Sequence, residues 1–592
     1  MKLSDYVIDF IVGQGVSHIF EFIGGAITHL IDSTYDRHDI QCVSMHHEQA
    51  GAFAAEGYAR INGKLGVSMA TSGPGALNLL TGIGSCYFDS VPCMFITGQV
   101  NTYEYKFDKP LRQIGFQETD IISVAKPLTK YAKIIVDAEK IRYYLEKAVY
   151  LAQNGRPGPV LLDIPMNIQR AMIDPEKLES FYDSEEFRKR HKIPMCNDQQ
   201  MDEVVKLIAI AKRPVILVGG GVRTAGASME LQYLVDKTGI PVVTSLMGLD
   251  IIPHDETAFF GMIGAYGNRY SNFIVANSDF LLILGSRLDS RQTGTMPNTF
   301  ARAAKKVHVD IDSNELNAKV QVDIAINCNV KTFLDTLNKN LEEYTKQDLS
   351  SWYRVIEGYR TKYPTYSMET KFGAIEPNRF MEFLSVHCGI GDIICLDVGQ
   401  NQMWAAQSFH LKEGQRMLIS GGMGSMGFSL PAAIGAAKAS PNKRVIVISG
   451  DGGIQVNIQD LDTIVNHNLQ VKIFIMNNNC LGMVRQFQDM YFGGRQQSTV
   501  IGYGCPNLTK IAEAYGFISY IIDNFKDAEE IIKLAIAGDG PAFVEVKLDQ
   551  MTCVNPKLVV NYPIEDMSPF IEKEELRKEM LIELADGKEV HK

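Results

Sequence analysis

The sequence has 592 residues and a formal net charge of −11 at pH 7, with 46% hydrophobic and 21% charged residues. A chain of this length exceeds a single hydrophobic core and predicts three or four domains of ordinary globular composition. The acidic balance argues against a nucleic-acid partner, no apolar run reaches membrane-spanning length, and ten cysteines without a CxxC pair favour reduced thiols in a cytoplasmic protein.

The first part of the chain alternates short apolar strands with helical segments. The predicted strands are His18–Phe22, Cys42–Met45, Gly66–Ala70, Pro92–Thr97 and Val160–Ile164. This alternation is typical of an α/β domain with a parallel sheet. The charge-dense stretch 174–194 then predicts a linker or a surface excursion, and we place the first domain at residues 1–175.

Two further units follow the same α/β pattern, at residues 195–345 and 375–550, before a tail at 551–592 with helical periodicity after Glu572. The strands predicted for them are Val215–Val218, Pro241–Thr244, Phe280–Leu284 and Lys306–Ile311 in the second unit, and Ile393–Asp397, Val445–Ile448, Val471–Met476 and Ala542–Val546 in the third. The predicted fold class is α/β, with three doubly wound parallel-sheet domains.

Two strand ends of the third unit carry candidate metal ligands. The strand Val445–Ile448 leads into Gly450-Asp451-Gly452, and the strand Val471–Met476 leads into Asn477-Asn478-Asn479. Ligands of doubly wound sheets bind at the carboxyl ends of the strands, and carboxylate and amide oxygens suit Mg²⁺. Glycines beside the carboxylate let a diphosphate approach the backbone.

This spacing of GDG and NN resembles the motif of thiamin-diphosphate enzymes. The resemblance implies that Asp451, Asn478 and the backbone carbonyl of Cys480 hold Mg²⁺, with Gly452 and Gly453 beside the diphosphate.

Glu48, in the segment HHEQAGAFAAEGYAR, is the candidate catalytic acid. Thiamin diphosphate requires a carboxylate beside its aminopyrimidine ring, and Glu48 directly follows a predicted strand and begins a helix rich in small residues. A glutamate in the first turn of a helix is more often a favourable dipole contact. The GDG motif elsewhere in the chain favours the catalytic role.

The chain resembles, over nearly its whole length, the acetohydroxyacid (acetolactate) synthase branch of these enzymes. The matching segments include TSGPGALN, FQE, GRPGPVLLDIP, VGQNQMWAAQ and SGGMGSMGFSLPAAIGAA. The resemblance implies a pyrimidine-binding first domain, a central FAD-binding domain and a diphosphate-binding third domain. It also assigns Gln117 to the reactive end of the cofactor, Met426 to its bent conformation, and Pro74, Asn78, Gln400, Asn401 and Gly424 to other cofactor contacts.

The middle unit matches the flavin-binding segments of the same synthases through RPVILVGGGV, TSLMGLDIIP, LGSRLDSRQTG and VHVDID. A strand-end glycine triplet, arginines for phosphate and an aspartate after a strand agree with nucleotide binding. The residues implied are Arg156, Gly219, Gly220, Gly221, Ser245, Leu246, Gly264, Gly285, Arg287, Asp289, Arg291, Asp310 and Ile311. The flavin is expected to be largely structural.

The predicted activity is decarboxylation of pyruvate and transfer of the hydroxyethyl unit to a carbonyl acceptor. The substrate pocket is expected at Phe116, Met166 and Phe487, where Phe487 and Met166 replace the tryptophan and lysine of the family pattern. An extra segment, TYEYKFDKPLRQIG, precedes FQE, and the tail lacks the lid sequence of the biosynthetic synthases. These departures are either drift or a redesigned acceptor pocket.

Three alternatives remain open. The acceptor is either a keto acid, as in acetolactate synthases, or a nucleotide-linked 4-keto sugar, because the tail segment PIEDMSP resembles enzymes of branched-sugar pathways. A pyruvate oxidase and a non-catalytic flavin-bound assembly are less favoured. Family geometry also implies a homodimer or homotetramer with its active site at the interface.

Overall fold

The computed structural model describes residues 1–189, 195–367 and 375–585 of the protein. Three six-stranded sheets and one two-stranded sheet make up the β structure of these residues.

The first sheet contains β1 (His18–Phe22), β2 (Gln41–Ser44), β3 (Gly66–Ala70), β4 (Cys93–Gln99), β5 (Tyr131–Ile134) and β6 (Val160–Pro165), with helices α1 (Leu3–Gly13), α2 (Thr28–Asp32), α3 (Glu48–Asn62), α4 (Pro74–Asn78), α5 (Leu80–Asp89), α6 (Ile121–Ala125), α7 (Ile141–Gln153), α8 (Met166–Gln169) and α9 (Glu185–Arg188).

The second sheet contains β7 (Pro214–Val218), β8 (Val242–Thr244), β9 (Phe259–Met262), β10 (Phe280–Leu284), β11 (Lys305–Asp310) and β12 (Ile324–Asn327), with helices α10 (Asp198–Ile210), α11 (Gly220–Thr224), α12 (Ser228–Thr238), α13 (Arg269–Asn277), α14 (Ser290–Thr293), α15 (Val330–Asn340) and α16 (Ser350–Lys362).

The third sheet contains β13 (Ile393–Leu396), β14 (Arg416–Ile419), β15 (Val445–Gly450), β16 (Val471–Asn477), β17 (Ile518–Ile522) and β18 (Ala542–Lys547), with helices α17 (Pro377–His387), α18 (Gln400–Ser408), α19 (Ser429–Ala439), α20 (Asp451–Ile454), α21 (Leu461–Asn466), α22 (Gly482–Tyr491), α23 (Leu508–Ala514) and α24 (Phe525–Ala537). The tail adds β19 (Lys557–Leu558), β20 (Met567–Ser568) and α25 (Lys573–Glu579).

The three large sheets are parallel throughout, which confirms the predicted α/β fold class. The first runs β2-β1-β3-β4-β6-β5 and the third β14-β13-β15-β16-β18-β17, so the two share one strand order. The second runs β12-β11-β10-β7-β8-β9, the order of dinucleotide-binding folds. In each sheet the strand order reverses at a switch point, β1/β3, β7/β10 and β13/β15, where ligands of such folds bind.

Five strands have no counterpart among the predicted ones: β5, β9, β12, β14 and β17. Each is the edge strand of its sheet. Partial burial explains two of these omissions, since β5 is half-exposed along its length and β17 carries exposed residues at two of its five positions. These two edge strands therefore lack the continuous apolar run that identifies a strand buried on both faces, whereas β9 is buried throughout.

The charge-dense stretch 174–194, as far as residue 189, packs against the first domain. Phe181 is fully buried and its ring lies 5.4 Å from that of Tyr143, while Phe187 packs edge-on against Tyr150 at 5.4 Å. The aromatic residues within this segment attach it to α7, although its overall charge predicts a solvated linker.

Helices α3 and α19 cross in direct backbone contact and join the first domain to the third. A Cβ on Gly57 would lie 2.2 Å from the carbonyl oxygen of Ala432, and one on Gly435 would lie 1.9 Å from that of Ala54. No side chain larger than hydrogen fits at either position. The crossing therefore depends on glycine in both helices.

The tail lies across the central domain. The Leu558 N–H donates to the Ala265 carbonyl at 2.7 Å, and Leu576 is buried in the same hydrophobic cluster as Trp352 of α16. None of the helices in the described ranges is both long enough and apolar enough to cross a bilayer.

We expect Gly57→Ala to lower the melting temperature of the protein, because its methyl group would force α3 and α19 apart at a cost of about 1–3 kcal/mol. Gly358→Ala is the matched control, since no atom lies within 4 Å of the added Cβ at this exposed position in α16. Helix propensity alone makes that change neutral or stabilising. An unchanged melting temperature for Gly57→Ala, measured by calorimetry, would contradict the tight crossing.

Candidate active site

The carboxylate of Asp451 lies at the carboxyl end of β15. The residue is 1% exposed, and its Oδ2 accepts a hydrogen bond of 2.7 Å from the Tyr503 hydroxyl. Asn478 follows β16, the neighbouring strand, and its Nδ2 donates to Gln400 Oε1 at 2.9 Å. The amide oxygen of Asn478 is then the atom available to a cation.

The donor set at this point fits a magnesium ion. Burial raises the pKa of Asp451 to about 6, and the Tyr503 hydrogen bond opposes that rise. No lysine or arginine of the described residues forms an ion pair with this carboxylate, so its charged form is destabilised until a cation binds. Burial also raises the pKa of the Cys480 thiol to about 11, which leaves its backbone carbonyl as the ligand this residue offers at neutral pH. One carboxylate with amide and carbonyl oxygens suits Mg²⁺, which fills its remaining positions with phosphate and water.

Asp397, at the end of β13, holds the glycine-rich loop that carries Met426. Its buried carboxylate accepts hydrogen bonds from the N–H groups of Gly427 (2.9 Å) and Ser429 (3.0 Å) and from the Ser429 hydroxyl (2.8 Å). These bonds compensate the lost hydration of the carboxylate. Met426 is thereby brought to the strand ends, where its Cε lies 3.5 Å from the position of a Cβ on Gly452.

Other predicted cofactor contacts lie at the same strand ends as Asp451: Asn401 is predicted for the diphosphate, and Gly424 for the ring system. Asn401 Nδ2 donates to the carbonyls of Asp397 (2.8 Å) and Ile448 (3.2 Å), which fixes the start of α18 to β13 and β15. Gly424 adopts a φ of +69°, which glycine accommodates without strain. Gly453 packs against a protein group, since a Cβ there would lie 2.5 Å from Asp397 Oδ1.

Glu48 begins α3 and is buried, at 7% exposure. Its Oε2 accepts a hydrogen bond of 2.8 Å from Asn78 Nδ2, at the end of α4. Its Oε1 lies 3.0 Å from where a Cβ on Gly75 would sit, so glycine leaves room beside this oxygen. The helix α4 runs from Pro74 to Asn78, and the structure brings its last residue into contact with Glu48.

The extra segment before Phe116 is closed by a single buried carboxylate. Glu118 accepts backbone hydrogen bonds from Lys106 (2.7 Å) and Ile114 (2.6 Å), which folds the segment back onto its own end. Gln117 has a φ of +63°, and its carbonyl oxygen lies 3.0 Å from the position of a Cβ on Gly73, next to the start of α4. Phe116 is 86% exposed.

Within one chain these residues form two separate half-sites. The first contains Glu48, Asn78 and Gln117, and the second contains Asp451 and Asn478. No described residue of one half-site forms a hydrogen bond with a residue of the other.

The glycine triplet of the central domain, Gly219 to Gly221, lets the loops after β7 and β10 approach each other closely. A Cβ on Gly219 would lie 2.3 Å from the Gly285 carbonyl oxygen, and one on Gly221 would lie 2.7 Å from the Gly285 Cα. The loops after β7 and β10 therefore touch at the switch point, and Gly220 faces Met247. The other predicted flavin residues lie at or after the ends of neighbouring strands: Ser245 and Leu246 after β8, Gly264 after β9, Arg287, Asp289 and Arg291 after β10, and Asp310 and Ile311 at β11.

Asp310 fits a ribose contact at this edge. Burial raises its pKa to about 6, and one oxygen accepts the Asp312 N–H at 2.9 Å, so the second oxygen can accept from a hydroxyl. Arg156 reaches the same region from the first domain and pairs with Asp312 (3.2 Å) and Glu315 (2.9 Å). The donor and acceptor groups at these strand ends therefore fit a dinucleotide.

The predicted substrate-pocket residues lie in different elements. Phe487 is on α22 and is 43% exposed, with its ring 4.7 Å from that of Tyr491. Met166 begins α8 after β6 and is half-buried.

Tyr503, Asp397 and Glu118 have roles that the sequence motifs do not indicate. Asp397 ends a predicted strand beside VGQNQ, so the strand-end reasoning used for Asp451 also identifies it. Tyr503 contacts a residue 52 positions away, and no local pattern marks it. Glu118 belongs to the FQE segment, but the sequence does not show that it holds the preceding loop.

Three models of thiamine pyrophosphate enzymes match the chain: the N-terminal TPP binding domain at residues 1–124, the central domain at 201–337 and the C-terminal TPP binding domain at 397–546. Each overlaps one of the three large sheets.

Similar proteins cover almost the whole chain. Acetolactate synthase 2 of Nicotiana tabacum, a chloroplastic protein, is 38% identical over 569 residues, or 94% of this chain and 83% of its own. The acetolactate synthase large subunit of Lactococcus lactis is 35% identical over 95% of both chains. A probable large subunit of Methanocaldococcus jannaschii is 38% identical over 93% of this chain and 92% of its own.

We expect Tyr503→Phe to raise the Mg²⁺ concentration needed for half-maximal activity about 10- to 100-fold, because the Asp451 carboxylate loses the hydrogen bond that orients it. Tyr35→Phe, at a position 80% exposed, is the control. Identical Mg²⁺ titrations for both variants and the parent would show that Tyr503 does not support a metal ligand.

Proposed function

The chain belongs to the acetolactate synthase family of thiamin-diphosphate-dependent enzymes, and on that premise we propose that it removes CO₂ from pyruvate and joins the two remaining carbons to the carbonyl group of a second substrate. One observation carries the proposal. Buried carboxylates, Glu48 and Asp451, stand at strand ends in the two domains that match thiamine pyrophosphate models, each with a hydrogen bond that fixes it.

Bound thiamin diphosphate supplies the electron sink for decarboxylation and carbon–carbon bond formation. Glu48 would hold a proton at Oε1 beside the bound cofactor, because the hydrogen bond from Asn78 to Oε2 fixes the carboxyl group. Gln117, next to Gly73, and Met426, on the loop held by Asp397, would orient the reacting end of the bound cofactor.

Mg²⁺ and FAD complete the proposed cofactor set. Asp451, Asn478 and the Cys480 carbonyl would bind Mg²⁺ with the diphosphate. The strand ends of the central sheet, from Gly219 to Asp310, would bind FAD in a structural role, because the reaction has no net redox change. The test is to add the cofactors back to dialysed protein while omitting one of them at a time. A cofactor whose omission leaves full activity does not belong to the set.

The two half-sites support assembly of at least two chains. Apolar side chains near both half-sites are exposed, including Ile23 (57%), Phe116 (86%), Met423 (40%) and Met426 (37%). Burying them against a second copy would stabilise the assembly and pair the Glu48 half-site of one chain with the Asp451 half-site of its partner. We therefore favour a homodimer or homotetramer.

A 2-keto acid is the favoured acceptor, since the relatives are acetolactate synthases. A nucleotide-linked 4-keto sugar is the second candidate. The half-exposed ring of Phe487 and the half-buried Met166 support a wider approach for the acceptor than the tryptophan and lysine of the family pattern would leave. A pyruvate oxidase is less favoured, because the proposed reaction requires no net electron transfer to the flavin. A non-catalytic protein is less favoured, because both carboxylates, Glu48 and Asp451, are present.

Mixing two inactive variants tests the shared site. Glu48→Gln and Asp451→Ala should each lose activity by orders of magnitude. Co-expressed chains pair at random, and a mixed dimer has one intact site, so activity should return to about a quarter of the parent's. Mixing Glu48→Gln with Glu48→Ala is the control. If mass spectrometry confirms that mixed dimers form and activity still does not return, Glu48 and Asp451 belong either to a site within one chain or to no site.

A competition assay tests the acceptor. Pyruvate is supplied with 2-ketobutyrate and with a nucleotide-linked 4-keto sugar, and kcat/KM is compared for the products. An apolar wall separates substrates by only about 1–3 kcal/mol per methylene, so we expect some product from each and a clear preference for the keto acid. Preference for the sugar would make the second candidate correct. Acetaldehyde or acetate as the only product would defeat carboligation.

A further inference from the structure

Two cysteines of the central domain contact each other although they are 132 positions apart in the sequence. The Sγ atoms of Cys196 and Cys328 lie 2.8 Å apart, and the Cys196 thiol donates a hydrogen bond to the Cys328 sulfur. Both are free cysteines in the structure. A disulfide bond joins sulfur atoms at about 2.05 Å, so a shift of less than about 1 Å would bring these two to bonding distance.

The packing of α10 on the central sheet fixes this contact. Cys328 directly follows β12, and Cys196 directly precedes Asn197, the N-cap residue of α10. Beside the thiols, Gln200 Nε2 donates to the Ala325 carbonyl at 3.3 Å. Cys328 belongs to the hydrophobic cluster of this domain, and Cys196 packs against the same cluster. The two sulfurs are therefore held together by the fold around them.

The two cysteines differ in exposure. Cys196 is half-buried, whereas Cys328 is fully buried. A small molecule can therefore reach the sulfur of Cys196 while the sulfur of Cys328 waits behind it. Cys86 and Cys93 also interact, but both are fully buried. Access from solvent thus distinguishes the pair formed by Cys196 and Cys328.

The hydrogen bond between the thiols also favours their reaction. It lowers the pKa of the Cys328 thiol below its usual range, although burial opposes this effect, and it raises the pKa of the Cys196 thiol. A pair that shares one proton in this way favours a thiolate, which is the nucleophile of thiol–disulfide exchange. No group of three or more His, Cys, Asp or Glu side chains within the described ranges could hold a metal ion, so a metal site does not explain the pair.

We propose that Cys196 and Cys328 are a reversible redox site, which a low-molecular-weight disulfide oxidises to an intramolecular disulfide bond. With the shared proton on Cys328, the Cys196 thiolate attacks one sulfur of the small disulfide, whose own bond breaks, and one small thiolate leaves. The Cys328 sulfur then gives its proton to solvent, attacks the Cys196 sulfur and releases the second small thiolate. The cysteines lose two electrons and the small disulfide gains two. This site takes no part in the proposed carboligation.

The new bond would fix the strand end that carries Asp310. The Cys328 N–H donates to the Asp310 carbonyl at 3.1 Å, and Asn327 Nδ2 donates to the carbonyls of Asp310 (3.1 Å) and Ile311 (2.9 Å). Asp310 is the ribose contact of the proposed FAD site, and this consequence rests on that proposal. Because the disulfide would order this edge before FAD arrives, the oxidised protein should bind FAD more tightly.

The test places the whole purified protein in buffers of oxidised and reduced glutathione at stepped ratios. Free thiols are then blocked with iodoacetamide, and the peptides are mapped by mass spectrometry. We expect a peptide that links Cys196 to Cys328 to appear in a single two-electron transition and to disappear again in excess reduced glutathione. Alkylation of both cysteines at every ratio, or glutathione retained on Cys196 without the link, would overturn the inference. A link that reduced glutathione never opens would overturn its reversibility.

Two serine variants localise the effect. Cys196→Ser should form no link, because Cys328 then lacks its partner. Cys42→Ser is the matched control, since Cys42 is also half-buried but its sulfur contacts the Thr34 hydroxyl at 3.4 Å. The transition of Cys42→Ser should match that of the parent. If Cys42→Ser loses the link while it melts as the parent does, the oxidation passes through another cysteine and the assignment to one isolated pair is wrong.

A second arm tests the coupling to the flavin edge. FAD is titrated into dialysed protein in the linked and in the reduced state, and the linked parent should bind it about 5-fold or more tightly. Coupling is reciprocal, so saturating FAD should raise the glutathione equilibrium constant of the link by the same factor. Equal FAD affinities with the link confirmed would overturn the coupling. A protein that binds FAD in neither state refutes the proposed flavin site and this coupling, whereas the peptide map alone decides the redox site.

Discussion

The crossing of α3 and α19 is the contact on which the rest of the molecule depends. Gly57 and Gly435 let the helix backbones touch, and Arg60 closes the contact by pairing with Glu56 (2.6 Å) and Asp89 (2.8 Å) and donating to the Ile419 carbonyl (2.7 Å). Burial raises the pKa of Glu56 to about 7, which Arg60 opposes. Because Glu48 begins α3 and the Met426 loop precedes α19, this packing fixes both half-sites of a chain relative to each other.

A common architecture explains how two unlike half-sites arise from similar scaffolds. The first and third sheets share one strand order, and their functional residues lie at the corresponding switch-point edge. The first domain places Glu48 there, which we propose for proton exchange, and the third places Asp451, which we propose as a ligand of a cation. The central sheet has the other doubly wound order, and its two strand-end loops touch at Gly219 and Gly285. The chemistry differs between the domains because the residues after the strands differ.

The sequence predicts the interior of each sheet and the residues directly after its strands. Strands such as β10 and β15 are buried on both faces and appear as continuous apolar runs, whereas β5 and β17 are half-covered edges with mixed residues. The same limit applies to the site. Asp451 is marked by glycines beside it, but the contacts of Tyr503 with Asp451 and of Cys196 with Cys328 arise from segments distant in the sequence, and only tertiary packing brings them together.

The carboxylate of Glu118 also limits which part of the segment before Phe116 can change in length. Glu118 directly follows Gln117 and accepts hydrogen bonds from the backbone N–H groups of Lys106 and Ile114, so it holds the two ends of the loop together. Residues inserted or deleted between positions 106 and 114 change the size of the loop without moving the glutamine that follows it. The segment before Phe116 can therefore be lengthened or shortened by engineering independently of the position of Gln117.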